Sequence, residues 1–359
     1  MSSVECGSNA PVAMSGGGAA LVAMSGGVDS AVAAMLARSG GLSCEGAIMS
    51  LYPGATGGEA FARAAAARLG IPFHVFDFSA SFCDHVIDRF IGEYRRGHTP
   101  NPCIDCNRRI KFGLLLEKAL ELGKDYLITG HYARISRDAG GRYLLNKGVD
   151  AQKDQSYVLY SLTQEQLARV RFPLGSIEKR QVRDMATAAG FENAHNRESQ
   201  DICFIPDGDY ARFIEEYTGE TPRKGRFIDV DGNDLGANKG VICYTIGQRR
   251  GLGLSMAFPP YVLEIRPEDD TVVVGNGELL YSKTLQARDV NMIAQDRLLS
   301  PVRAQVKIRY KHAAAPATVI QTGEDTLRVE FDEPQRAITK GQTAVIYDGE
   351  TVLGGGTIY

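Results

Sequence analysis

The chain has 359 residues, with 40 Lys and Arg against 43 Asp and Glu, for a formal net charge of −3. Hydrophobic residues make up 44% and charged residues 23%, which suits a globular protein of two or three domains and excludes global disorder, collagen and a disulfide miniature. No apolar run approaches the ~18 residues of a membrane span, and residues 1–20 lack a signal-peptide pattern, so a cytoplasmic protein with no membrane partner is expected. Seven cysteines, at 6, 44, 83, 103, 106, 203 and 243, are an odd number that suits reduced thiols or metal binding better than a secreted disulfide frame.

Residues 1–18 are small, polar and Gly-rich, and are expected to form a mobile tail. Short apolar runs at 20–24, 45–51, 73–78 and 125–130 then alternate with helical stretches at about 29–39, 58–70, 82–96 and 107–122. This alternation predicts an α/β fold with a doubly wound parallel sheet. Residues 164–218 continue helical in character. After Thr221-Pro222 the texture becomes β-rich, with Asp231-Gly232 as a hairpin turn and residues 261–275 as two runs around another. The expected organisation is a nucleotide domain over 19–218, a small central β-rich domain over 219–284 and a C-terminal β-barrel over 285–359. Arg303, Lys307, Arg309 and Lys311 recur at odd positions and would share one face of a strand, as a patch for phosphates or as a solvated face.

Met-Ser-Gly-Gly occurs twice, at 14–17 and 24–27, but only the second copy follows an apolar strand and leads into a helix. Strand, Gly turn and helix start form a phosphate cradle, because the backbone can approach an anion closely and the helix dipole attracts it. Ala23 and Met24 lead into this turn, and Ser25, Gly26, Gly27, Val28, Asp29 and Ser30 form it, with both serines as hydroxyl donors. No Lys stands where a Walker loop needs one. Ser25–Ser30 instead resembles the signature of the PP-loop ATP pyrophosphatases, which release pyrophosphate from ATP and pass AMP to an oxygen of their substrate. That resemblance implies ATP, with Mg2+ near Asp29 to offset the phosphate charge. Met49 and Gly130, at ends of the second and fourth strands, would wall the adenine and ribose.

Thr99-Pro100-Asn101-Pro102-Cys103-Ile104-Asp105-Cys106 reads as a loop, by its two prolines, that leads into a basic helix. A thiol at a helix N-terminus flanked by Arg108 and Arg109 should have a lowered pKa, which makes Cys106 a candidate nucleophile. Cys203 alone is as readily a buried small hydrophobe as a reactive group.

Together with Gly130–Arg134, Lys153–Tyr160, Ser199 to Ile205, Tyr244–Gly253, Lys307–Tyr310 and Gly341–Gly349, these segments resemble the tRNA-specific 2-thiouridylases in order and spacing from Ala19 to Tyr359. The resemblance implies adenylation of the C2 oxygen of the wobble uridine in tRNAs for Lys, Glu and Gln, followed by sulfur transfer. Cys203 would carry a persulfide delivered by a sulfur-donor protein, and Cys106 would be the second nucleophile, closing a Cys106–Cys203 disulfide that a reductant reopens. It also implies that Asn101, Pro102 and Cys103 lie near the target base, and that His131, Lys153, Asp154, Gln155, Arg309, Tyr310 and Gln342 lie along the tRNA.

Many relatives carry Asp at the place of Cys103, so its role is open, and Asp105 is an alternative acid or base. Cys103, Cys106 and Cys203 could instead ligate a [4Fe-4S] cluster. A zinc site from Cys83, His85, Cys103 and Cys106 is disfavoured, because helix residues two apart diverge. Asn238 stands where relatives often have His. Two rival functions are a PP-loop synthetase acting on a small-molecule carboxylate and a non-catalytic RNA-binding protein. The first leaves the two thiols idle and the second has no use for a phosphate loop.

Overall fold

A computed structural model describes residues 10–11, 17–52, 58–191 and 202–359. The first Met-Ser-Gly-Gly copy up to Gly16, most of the expected tail, and Ser199 and Asp201 lie outside them. Within that tail, Ala10 pairs with Arg137 and Pro11 with Ser136, so this stretch is held as a strand.

The nucleotide domain is built on five parallel strands in the spatial order Phe73–Asp77, Ser43–Ser50, Ala19–Ala23, Tyr126–Ile128 and Val170–Arg171. Ala19–Ala23 lies in the middle, and its residues alternate between two cores: Leu21 faces one, Ala20 and Val22 the other. Helices Val28–Ser39, Glu59–Leu69 and Lys179–Ala188 cover the second face, where their many alanines allow close packing. The other face is covered by helical segments running Ser79–Arg95 and Pro102–Glu121. This is the expected doubly wound sheet. The two-residue strand Val170–Arg171 was not anticipated, being too short to show any alternation.

The central domain is a four-stranded sheet in the order Asp234–Ala237, Arg226–Ile228, Thr271–Gly275, Tyr261–Arg266. Both expected turns are present, one between Ile228 and Asp234 and one between Arg266 and Thr271. Asn238 is buried here, donating to the carbonyls of Arg226 and Asp270, both at 2.9 Å, and accepting from Gly225 and Gly240, so it ties the sheet together.

The C-terminal strands Tyr281–Met292, Val302–Lys307, Ala315–Gly323, Thr326–Arg336, Thr343–Asp348 and Thr351–Ile358 close a six-stranded barrel, because Thr343–Asp348 pairs with both Val302–Lys307 and Thr351–Ile358. The basic row does not survive as one face. The strand ends at Lys307, Arg303 is paired with Asp332 at 2.6 Å, and Arg309 turns back to donate to Ala337 and Thr339.

A hairpin of the nucleotide domain, Ala133–Arg137 with Tyr143–Lys147, extends the barrel's sheet, pairing Leu145 with Val352 and Asn146 with Thr351. The segment Ser156–Tyr160 docks beside it. The buried Tyr157 hydroxyl donates to the Thr343 carbonyl at 2.9 Å, and Asn291 donates to the Tyr160 carbonyl at 2.7 Å. Each such buried aromatic adds about 1.5–3 kcal/mol of apolar burial, so nucleotide domain and barrel are packed as one body.

Candidate active site

The Gly turn after Ala19–Ala23 is shaped by backbone contacts. Gly26 has φ +80°, and a Cβ there would lie 2.2 Å from the Gly58 carbonyl oxygen, so the turn seats directly on the start of the next helix. Met24 is 1% exposed and belongs to the core. Helix Val28–Ser39 starts at Gly27 without a side-chain cap, which leaves its first turn oriented as an anion site. Ser30 holds the turn together: its hydroxyl donates to the Gly27 carbonyl at 2.9 Å and accepts from the Ser25 amide at 3.2 Å. Its donor is therefore spent internally, and Ser25 alone keeps the role of an outward hydroxyl. A Cβ on Gly130 would lie 2.9 Å from the Asp29 carbonyl carbon, so glycine is needed there to let the fourth strand meet the helix start. Asp29 accepts from Lys179 at 2.7 and 2.8 Å and from the Tyr132 hydroxyl at 2.7 Å.

The cysteine segment is helical earlier than its prolines suggest. The Asn101 side chain caps the helix by accepting from the Cys103 amide at 3.1 Å, and Pro102 occupies the first turn, where its missing N–H is no loss. Cys106 then lies a full turn inside and is 7% exposed. Burial, with Cys203, Cys103 and Asp105 adding to it against Lys111, pushes its thiol up to about 12. The expectation of a lowered pKa at a helix N-terminus is thus corrected: the N-terminal position belongs to Cys103, and Arg108 and Arg109 act on Asp105 instead. Cys103 and Cys203 are exposed, yet desolvation raises both thiols as well. Asp105 is also raised by desolvation, opposed by Arg89 at 3.1 Å.

These thiols gather at the carboxyl end of the parallel sheet. Ala23, Met49, Tyr52 and Ile202 pack on the same core as Cys106. The Tyr52 hydroxyl donates to the Cys203 carbonyl at 2.8 Å, and Phe204 sits edge-on to Phe82 and Phe90. Among the described residues no group of three or more His, Cys, Asp or Glu is arranged to hold a metal ion. The thiols expected as cluster ligands do not form such a set, because Cys106 is packed into the core while Cys103 and Cys203 are exposed.

Three family descriptions match the chain in succession: the tRNA methyl transferase HUP domain at 19–207, the tRNA methyl transferase PRC-barrel domain at 211–276 and the aminomethyltransferase beta-barrel domain at 282–358. A tRNA-specific 2-thiouridylase MnmA from Clostridioides difficile is 47% identical over 350 residues, covering 94% of this chain and 97% of that protein. The MnmA of Carboxydothermus hydrogenoformans is 48% identical over 352 residues, covering 94% and 96%. The chain belongs to the tRNA-specific 2-thiouridylase family.

In this thiouridylase, two of the residues expected along the tRNA, Gln342 and Tyr310, join domains. The Gln342 side chain donates to the Thr99 carbonyl at 2.6 Å, the Thr99 amide donates to the Lys340 carbonyl at 2.9 Å, and the Thr99 hydroxyl meets that of Thr245 at 3.4 Å. All three domains thus meet at the residue that opens the cysteine segment. Tyr310 reaches from the barrel to the Asp154 carbonyl at 3.3 Å. Asp154 itself accepts from Gly148 and Ser156, Gln155 accepts from the Tyr132 amide at 2.9 Å, and the Lys153 amide donates to Asp150.

His131 departs from its expected place on the RNA face. It is buried between Phe112 and Phe172, shares a 2.6 Å hydrogen bond with Thr129, and desolvation holds it neutral, well below the usual histidine range. Sequence reasoning missed Lys179, Tyr132 and Thr99 as parts of the site. The missing Walker lysine was the available signal for Lys179, since a phosphate turn without a local cation invites one from elsewhere.

Proposed function

We propose that this chain is a tRNA-uridine 2-sulfurtransferase that uses ATP to replace the C2 oxygen of the wobble uridine with sulfur in tRNAs for Lys, Glu and Gln. Cys106 and Cys203, far apart in sequence, come close enough to act on each other, beside the core that also holds Met49, and this convergence is the observation that supports the reading.

A uridine C2 oxygen is a poor leaving group, so it first attacks the α-phosphorus of ATP and expels pyrophosphate. The Gly26–Gly27 turn and the start of helix Val28–Ser39 suit the phosphates, and Ala23, Met24, Met49 and Gly130 frame the nucleotide by their place at the strand ends. Mg2+ would enter with the triphosphate, and Asp29 is the carboxylate beside it.

A persulfide on Cys203, delivered by a sulfur-donor protein, attacks C2 through its terminal sulfur and expels AMP. The Cys106 thiolate then attacks the Cys203 sulfur, breaks the sulfur–sulfur bond to leave 2-thiouridine, and forms the Cys106–Cys203 disulfide. A dithiol reductant supplies the two electrons that reopen it. Asn101, Pro102 and Cys103 line the place of the base, while Lys153, Asp154, Gln155, Arg309, Tyr310 and Gln342 shape the tRNA face across the domain joint. The donor set gives no step through an iron–sulfur cluster. The reduced thiols this cycle needs suit the cytoplasm.

Pyrophosphate release that requires added tRNA tests the reading. Release driven by a small carboxylate in its place would instead assign a synthetase, and no release with either would leave a binding protein.

A further inference from the structure

The helix that carries Cys103 and Cys106 is π-wound over Cys106–Leu114, and the amide of Leu115 bonds back five residues to Ile110. Such winding is rare and concentrates at functional sites. Its effect here is specific. In an α-helix, residues five apart point about 140° away from each other, which would send the side chain at 111 away from Cys106. The wider turn brings Lys111 round to the thiol side.

Lys111 is half-buried, and among the described residues its ammonium has no carboxylate partner. The groups it acts on are Cys103, Cys106, Cys203 and His131. Arg108 and Arg109, nearer in sequence, are directed to Asp105, and Arg108 also to Tyr160. Burial, the neighbouring thiols and, at Cys106, Asp105 oppose a negative charge on sulfur, while at Cys203 the backbone of Cys203 and Phe204 joins Lys111 in favouring it.

We propose that Lys111 is a positioning residue of the sulfur chemistry: a single ammonium, turned inward by the π-winding, serves Cys103, Cys106 and Cys203 and supports whichever sulfur is anionic. This rests on the reading that Cys106 and Cys203 are the reactive thiols. Negative charge must pass between those two sulfurs during the cycle, and a point charge on a flexible four-carbon stem can follow it where a fixed guanidinium fork in a carboxylate pair cannot.

The test is alkylation of the full-length protein by iodoacetate and by iodoacetamide across pH, with each cysteine followed by peptide mass spectrometry. In the wild type, iodoacetate gains on iodoacetamide at these thiols relative to the partly exposed Cys83, and added salt removes the gain. In Lys111→Met the gain disappears and the rate at Cys203 falls about tenfold at a given pH, one pH unit of displacement. Lys111→Arg retains the rate to within about threefold. Superimposable profiles for wild type and Lys111→Met overturn the proposal. Should Lys111→Met fail to fold, the wild type decides: no salt-sensitive preference for iodoacetate also overturns it. Normal 2-thiouridine in a Cys106→Ser variant would remove the functional reading while leaving the alkylation result standing, so the two failures are separable.

Discussion

The ammonium of Lys179 lies 2.7 and 2.8 Å from the two carboxylate oxygens of Asp29, although the residues are 150 positions apart. The phosphate turn thus receives its cation from the first turn of a distant helix. The Lys179 side chain is 8% exposed and Asp29 30%, so the pair is largely shielded. Without nucleotide the two neutralise each other. A bound triphosphate would offer Lys179 a stronger anion and free Asp29 for the accompanying metal.

Lys179→Met should leave Asp29 with Tyr132 as its remaining donor. A fully buried broken pair costs about 3–5 kcal/mol, and partial exposure of Asp29 reduces this to about 1–3 kcal/mol. Tenfold or greater loss of tRNA-dependent pyrophosphate release is expected alongside. Urea unfolding and a pyrophosphate assay read the two effects, and wild-type values in both would remove Lys179 from the site.

Gly26→Ala places a methyl group 2.2 Å from the Gly58 carbonyl oxygen on a backbone with φ +80°. Overpacking and left-handed strain together should destabilise the fold by about 1–3 kcal/mol and weaken ATP binding. Unchanged thermal stability with unchanged ATP affinity would show that the turn tolerates a side chain.

Cys106→Ser and Cys203→Ser should each abolish tRNA thiolation while sparing tRNA binding, since neither side chain joins the domains. Nucleoside mass spectrometry of tRNA from cells carrying each variant, with filter binding of the purified proteins, checks both halves. Full 2-thiouridine in either variant contradicts the assignment.

Stability should be greatest between about pH 6.5 and 9. His131 is held neutral in the fold, so below its ordinary value of 6.5 the unfolded chain takes up a proton that the folded one refuses, and stability falls with falling pH. Cys106 is pushed from 9.0 to about 12, so above 9 the unfolded chain loses a proton that the folded one keeps, and stability falls again. Burial raises Tyr94, Tyr157 and Tyr347 from 10.0, which steepens the alkaline loss. A urea midpoint that held level or rose from pH 9 to 11 would contradict this.

Much of this molecule is legible where the controlling interactions are local. The strand, Gly turn and helix around Ser25–Ser30 are encoded within a dozen or so residues, and the parallel sheet follows from apolar runs buried on both faces. The cysteine segment was misjudged because two prolines suggest a loop, whereas Asn101 before Pro102 is a helix start. Once helix begins there, Cys106 falls inside the core rather than at the dipole's end, and its ionisation reverses direction. The partnership of Lys179 with Asp29 and the junction at Thr99 depend on tertiary approach, and no local pattern announces them. The row from Arg303 to Lys311 kept its chemistry but lost its alignment, because the strand ends before Arg309.

The ladder between Leu145–Asn146 and Thr351–Val352 makes the last strand of the chain a structural neighbour of the ATP-handling half. Thr351 and Val352 must therefore be synthesised before that half can close this sheet edge. Fragments stopped short of residue 350 would present a bare strand, prone to pairing with other copies, so truncation should yield aggregates rather than a smaller ATPase.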